Sequence, residues 1–239
     1  SNESLTKEQQ VMDMLNNGTI DGFIVAIAEE TQSLKDYKHF RDIMNSGTPI
    51  VMFDRVADGI NCDKVVVDDF DSAYDATTHL IKLGGKKIAL LSTIHNLSVG
   101  KLRFEGYQKA LSDANLPIDE KLIVLETSLE DFDTKLQNLI ASKNMDAIFA
   151  LDEHSSTAAM KMALKQGIKI PEELNIIGFA DGVWSRRLTP SLSTVSQHAP
   201  EIGAKAAELL IHKLNSKDEF YQPQTVVIKT ELRQRESTR

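Results

Sequence analysis

The chain has 239 residues, 41% of them hydrophobic and 26% charged, with a formal net charge of −8. That length is enough for two lobes or for one large domain with a real core, and the acidic balance disfavours a nucleic-acid partner for these residues, because a surface of that sign repels phosphate and gains little from counterion release. No apolar run approaches the roughly 20 residues that a bilayer requires, no basic-then-apolar leader opens the chain, and the lone Cys62 excludes an internal disulfide or a cysteine zinc cage and fits a reducing compartment.

Ser1 to Glu8 is polar. Val11, Met14 and Leu15 then predict an apolar helical face, closed at Asn17-Gly18. Phe23-Ile24-Val25-Ala26-Ile27 is a continuous apolar run, as expected of a parallel strand covered on both faces. Thr31 or Ser33 is expected to cap a helix carrying Tyr37, Phe40 and Met44, ended by Gly47. Pro49 to Phe53 is the next strand and delivers Asp54 and Arg55 at its carboxyl end. Val65-Val66-Val67 leads into Asp68-Asp69 and a helix with Ala73, Ala76, Leu80 and Leu83, stopped at Gly84-Gly85.

Ile88 to Leu91, Leu122 to Leu125 and Ala147 to Leu151 read as strands. The helices between them are marked by Leu102, Gly106, Ala110 and Leu111, and by Phe132, Leu136, Leu139 and Ile140; one with Ala158, Ala159, Met162 and Ala163 follows. Ile176-Ile177-Gly178-Phe179 is a short buried strand that turns polar at Ala180-Asp181-Gly182. Pro190 bars a helix interior or a ladder, and Ser193 to Gln197 reads as extended. From Pro200 a helix sets Ile202, Ala206, Leu209 and Leu210 on one face. Thr225 to Ile228 is the last predicted strand. Strands alternating with helices throughout imply parallel sheets with helices on both faces.

In open α/β sheets ligands bind beyond the carboxyl ends of the strands. Asp54, Asp152 with Glu153, and Asp181 all stand there. Carboxylates accept paired hydrogen bonds from neighbouring hydroxyls, as sugar recognition requires. Each can equally cap the next helix, Asp152 or Glu153 that beginning near His154. Arg103 lies near the start of a helix, against its dipole, which favours a specific partner: a ligand hydroxyl pair or carboxylate, or a neighbour such as Glu105 or Asp54. Gln197 either reads a ligand or bonds crossover backbone. Trp184, the only tryptophan, either stacks on a sugar face or packs against the rest of the protein. Ser98 either donates a hydroxyl contact or is solvated. The six histidines show no metal-ligand spacing, and no nucleophile elbow, dinucleotide glycine motif or P-loop is present. No metal, cofactor or catalytic residue is expected, and the chain is not read as an enzyme.

Ile177-Gly178-Phe179, Pro190-Ser191-Leu192-Ser193-Thr194-Val195, Gln197, Gly203 and Leu209-Leu210 together resemble the effector-binding domain of the LacI/GalR family of bacterial transcription regulators. Asp146 to Ala150 running on to Gly167-Ile168-Lys169-Ile170-Pro171, and Glu231-Leu232 with Arg235-Glu236-Ser237-Thr238, extend the likeness over nearly the whole chain in the family's order and spacing. The resemblance implies an α/β fold of the periplasmic-binding-protein type: two Rossmann-like lobes with parallel sheets joined by crossovers. Residues 1–67 with about 195–226 would form the N-terminal lobe, and 68–194 with about 227–239 the C-terminal lobe. It implies a cytoplasmic homodimer that binds a small, sugar-like effector between the lobes and has no membrane partner. Asp54 and Gln197 would contact the effector from one side, and Arg103, Asp152 and Asp181 from the other. Asp54, Asp152 and the arginine of Arg103-Phe104-Glu105-Gly106-Tyr107 fall on the family's ligand-contacting positions.

Two departures matter. Family members carry a helix-turn-helix head and then a strand, a helix and a strand before a segment like Ser1-Asn2-Glu3-Ser4. None of these is in the sequence, so the N-terminal lobe reads as truncated: either the sequence is a fragment, or a sheet edge is left exposed and must be covered by something, and DNA would be reached only through the absent head. The family's Gly-aromatic-Asp is also replaced by Gly178-Phe179-Ala180-Asp181, which displaces the acid by one residue. The alternative with the same two-lobe design is a periplasmic solute-binding protein of an ABC transporter. Arg103→Ala is expected to abolish effector binding and leave the fold intact. These 239 residues alone are expected to bind no DNA; salt-sensitive retardation of a duplex in a gel-shift assay would refute the charge argument.

Overall fold

The computed structural model describes residues 1–179, 182–216 and 221–238. In chain order, the first segment forms α1 (Leu5–Leu15), β1 (Phe23–Val25), α2 (Glu29–Leu34), α3 (Lys38–Asn45), β2 (Ile50–Phe53) and β3 (Asp63–Val67). The long middle segment forms α4 (Asp69–Lys82), β4 (Ile88–Ser92), α5 (Ser98–Asp113), β5 (Ile123–Leu125), α6 (Leu129–Ser142), β6 (Ala147–Ala150), α7 (Glu153–Lys165), β7 (Asn175–Gly178), α8 (Val183–Arg187) and β8 (Ser193–Ser196). The chain then returns as α9 (Ala199–Asn215) and β9 (Thr225–Ile228) and finishes with β10 (Glu231–Arg233).

These elements form two compact units, Ser1–Val67 with His198–Lys229, and Asp68–Gln197 with Thr230–Arg239. The first holds a parallel sheet of order β1-β2-β3-β9. The second holds a sheet of order β10-β8-β7-β6-β4-β5, parallel except where β10 runs against β8. The chain therefore leaves the second unit after β8, at Gln197, and re-enters it at Thr230. Both crossings come a few residues later than the sequence suggests, because Val195 and Ser196 still pair with β10 and the whole of β9 still pairs with β3.

Burial follows the chemistry of the strands. Every residue of β4 and β6 is buried, as parallel strands covered on both faces should be. On one face, Ala73 and Leu80 of α4 and Tyr107 of α5 pack with Phe149 and Ile177. On the other, Phe132, Leu136 and Ile140 of α6 and Met160 of α7 pack with Ile148 and Ile176. In the first unit, Ile202, Ala206 and Leu209 of α9 lie on Val51 and Val65, while Phe40 and Ile43 of α3 join Ile27, Ile50 and Met52. β1 is an edge strand of its sheet.

Three elements differ from their sequence reading. The buried side of α1 carries Glu8 and Met12, whereas Val11 and Met14 are exposed. Glu8 is tolerated inside because its carboxylate accepts from Ala28 N (2.6 Å) and Thr31 Oγ1 (2.7 Å) and meets His39 Nε2 at 2.9 Å. The single helix expected across Thr31 to Met44 is two helices, broken at Lys35 in the left-handed conformation; Thr31 is spent on Glu8, and neither helix has a side-chain cap. β10 has only three residues and half-exposed chemistry, too little to read as a strand.

The C-terminal segment fastens the second unit. Ser237 N donates to Ser191 O (2.9 Å), and Ser237 O accepts from Ile176 N (2.9 Å). Its buried Oγ accepts from Ser193 N (2.8 Å) and donates to Ile176 O (2.6 Å). Asp68 Oδ1 accepts from Thr230 N (2.8 Å), tying together the two places where the chain enters this unit. Ser237→Ala strands one buried donor and one buried acceptor, so it should destabilise the fold by about 1–3 kcal/mol. The expected signature is a lower urea midpoint with an unchanged slope; an unshifted midpoint would show that the tail adds nothing.

Candidate functional site

Arg103 is the centre of the carboxyl edge of the six-stranded sheet. Its guanidinium is 4% exposed and pairs with Asp69, 3% exposed, through Nε to Oδ1 at 2.7 Å. Nη1 donates to Leu151 O at 2.7 Å, just past β6. The guanidinium carbon stands 3.5 Å from the centroid of Phe179, just past β7. One side chain thus ties the start of α4, α5 and the ends of two strands. The neighbours anticipated from sequence, Glu105 and Asp54, are not its partners; Asp69 is. Nη2 has no hydrogen-bond partner among the described residues.

The rest of the Arg103-to-Tyr107 motif explains how the arginine reaches this place. A Cβ at Gly106 would stand 2.3 Å from Phe70 O, so only glycine lets α5 lie this close to the first turns of α4. Tyr107 is buried and donates its hydroxyl to Ile88 O at 2.8 Å, anchoring α5 from the opposite side. Burial pushes its phenol well above the usual value, so it stays a neutral donor.

Asp152 follows β6 and caps α7. Its Oδ1 accepts from Ser155 N (2.8 Å) in a reciprocal capping box, and its Oδ2 accepts from Thr93 N (2.8 Å), just past β4. Both oxygens are therefore engaged by backbone, and capping, the simpler of the two sequence readings, describes its contacts. Gln197 is half-buried directly after β8, on the same edge of the same sheet, so it belongs with Arg103 and Asp152 rather than with Asp54. Ser98 is the first residue of α5 and half-buried. Trp184, in the short α8, is 65% exposed. Asp181 and the neighbouring Ala180 lie outside the described residues.

At the carboxyl edge of the four-stranded sheet, Asp54 follows β2 in the left-handed region (φ 57°), a conformation that Asp tolerates better than most residues. Its N–H donates to Val65 O at 3.0 Å, which fixes the turn. Beside it, Arg55 makes a two-pronged pair with Glu3, at 2.7 and 3.0 Å. These hydrogen bonds hold the Glu3 carboxyl below its usual range, against the opposing pull of burial. Glu3 also accepts from Glu29 N at 2.8 Å, at the start of α2. Sequence reading missed the roles of Glu3 and Asp69. Their partners lie 52 and 34 residues away, and no local pattern announces such pairs.

Among the described residues no cluster of three or more His, Cys, Asp or Glu can hold a metal ion, and no helix is long and apolar enough to cross a membrane. The arrangement offers hydrogen-bond acceptors and donors on rigid strand ends, suited to holding a polar molecule.

The expectation that Arg103→Ala spares the fold needs correction. Removing the arginine leaves Asp69 buried without its cation, which costs about 3–5 kcal/mol. Denaturant titration should show that loss for Arg103→Ala and a smaller one for Arg103→Lys; a loss below about 1 kcal/mol for the alanine variant would place the pair among weak surface bridges.

Residues 77–238 match the sequence model of the periplasmic binding protein-like domain. The HTH-type transcriptional repressor PurR of Actinobacillus pleuropneumoniae serotype 3 (strain JL03) is 29% identical over 235 residues, 98% of this chain and 68% of that protein. The HTH-type transcriptional regulator DegA of Bacillus subtilis (strain 168) is 32% identical over 200 residues, 83% of this chain and 59% of that protein. Among solved structures, the transcriptional regulator CelR in complex with cellobiose superposes with a TM-score of 0.83 at 23% identity, covering 98% of this chain and 71% of that one. A LacI family transcriptional regulator from Enterococcus faecium with bound ribose gives 0.83 at 23% identity, covering 96% and 83%. The chain thus spans roughly two thirds of its curated relatives, and the solved structures share its fold.

Proposed function

This chain belongs to the periplasmic binding protein-like domain family, and from that premise we propose that it is the ligand-sensing and dimerising core of a LacI-family transcription regulator. A small sugar-like molecule is its effector. It acts as a cytoplasmic homodimer, without catalysis or cofactor, and DNA contact falls to a helix-turn-helix outside these 239 residues. Both curated relatives described above are HTH-type regulators, which favours a regulator over a transporter component.

The observation that carries the reading is Arg103. Its Nε, Nη1 and one ring-facing surface are fixed by Asp69, Leu151 O and Phe179. Among the described residues its Nη2 has no hydrogen-bond partner, and a nitrogen held this rigidly can meet a ligand oxygen at a low ordering cost. Gln197, on the same sheet edge, supplies an amide that both donates and accepts. An effector of this kind regulates only through different affinities for two arrangements of the protein.

A thermal-shift screen over a carbohydrate panel tests the reading. A ligand present at about 100 times its Kd adds roughly 2.7 kcal/mol to native stability, or about 5–10 °C in Tm for a chain of this size. At least one saccharide should produce such a concentration-dependent rise. A complete and diverse panel with no rise would sink the sugar reading.

A further inference from the structure

The chain passes between its two units at three places, Val67 to Asp68, Gln197 to His198 and Lys229 to Thr230. Each passage is one peptide link from the last residue of one unit to the first of the other. A change in the arrangement of the units must be absorbed by a few residues at these links. Backbone ladders hold the passages side by side, but with a gap. Within the first unit, β3 and β9 are paired as far as Val67 and Ile228. Within the second, β10 pairs with β8 from Glu231, opposite Ser196. Thr230 falls between the two ladders and belongs to neither strand.

A side chain closes that gap. Asp68 Oδ1 accepts from Thr230 N at 2.8 Å, across 162 residues of sequence, and both residues belong to the second unit. Asp68 stands at the N-cap position of α4, where an aspartate ordinarily bonds the N–H groups of the first turn. Its side chain makes no such cap bond. The carboxylate is turned instead to a distant backbone donor, in a charge-assisted bond about twice as strong as a neutral one. The pairing of Glu231 with Ser196 carries the tie on toward the third passage.

The next residue leads to the candidate site. Asp69, the first residue of α4, holds Arg103 Nε at 2.7 Å. The first turn of α4 thus carries the partner of Arg103 and the tie on the passages, one residue apart.

We infer that Asp68 is a hinge clamp: its carboxylate binds the passages at 67–68 and 229–230 into one unit of motion and so narrows the range of arrangements the two units adopt. This rests on the reading that an effector acts by selecting among such arrangements, and it names the turn through which a ligand at Arg103 reaches the passages. Asp68 is a positioning residue, since it touches no ligand and acts through Thr230.

Distances between one spin label in each unit test it. Cysteines replace the exposed Gln10 of α1 and Gln137 of α6, the buried Cys62 is changed to serine, and double electron–electron resonance reads the distance distribution with no ligand present. Asp68→Ala should broaden the distribution. Asp68→Asn keeps an acceptor oxygen and should match the parent. Asp68→Ser can cap α4 with its own hydroxyl, so it replaces the alanine variant if that one does not fold, and it should broaden the distribution in the same way. A folded alanine or serine variant with the parent's distribution reduces Asp68 to a local structural role and overturns the inference. Broadening in Asp68→Asn equal to that in Asp68→Ala also overturns it, because the effect would then follow the charge and not the bond to Thr230. The clamp fails or stands in the distances and the sugar reading in the thermal-shift screen, so the two failures are distinguishable.

Discussion

The ion pair between Arg103 and Asp69 is the constraint on which the second unit is arranged. Two charges this deeply buried would be costly apart. Together, with Leu151 O and the face of Phe179, they satisfy the guanidinium on three sides. The pair can form only because Gly106 lets two helices approach at backbone distance and Tyr107 pins the same helix to Ile88 O. Arg103 therefore serves the fold and the candidate site at once.

The same economy recurs in the first unit. Glu3 lies in an irregular segment, yet it binds Arg55 and the first turn of α2 together. Glu8, inside, gathers Ala28 N, Thr31 and His39. Glu3 fastens the N-terminal residues to the strand end that carries Asp54, and Glu8 fastens α1 to Ala28, α2 and α3. Carboxylates here fill donor-rich positions that backbone or solvent would otherwise satisfy.

The strands and helices of this fold were largely legible in the sequence, since long apolar runs such as Ile88 to Leu91 and the spaced face Ile202, Ala206, Leu209 leave little choice of period. The failures have specific causes. Val11 and Met14 looked like a core face, but a satisfied buried acid, Glu8, outcompeted them for the inside. Lys35 broke an expected helix through a left-handed residue that no glycine signalled. Arg103 was recognised as special, while its partner was misjudged, because Asp69 lies 34 residues away and comes close only through the packing of two helices. Asp152 was legible both as a cap and as a ligand contact, and local spacing cannot rank two uses of one carboxylate.

The order in which the strands are laid down has a consequence for synthesis. The first unit lacks its covering helix and the neighbour of β3 until α9 and β9 have been made, and the second lacks β10 and the Ser237 bonds until residues 231–238 emerge. Neither sheet can close until these late elements have been translated. Such long-range pairing slows folding and leaves apolar strands uncovered in the meantime. Nascent chains of this protein should therefore depend on chaperones until β10 and Ser237 have emerged, more than a protein whose domains are complete in sequence order.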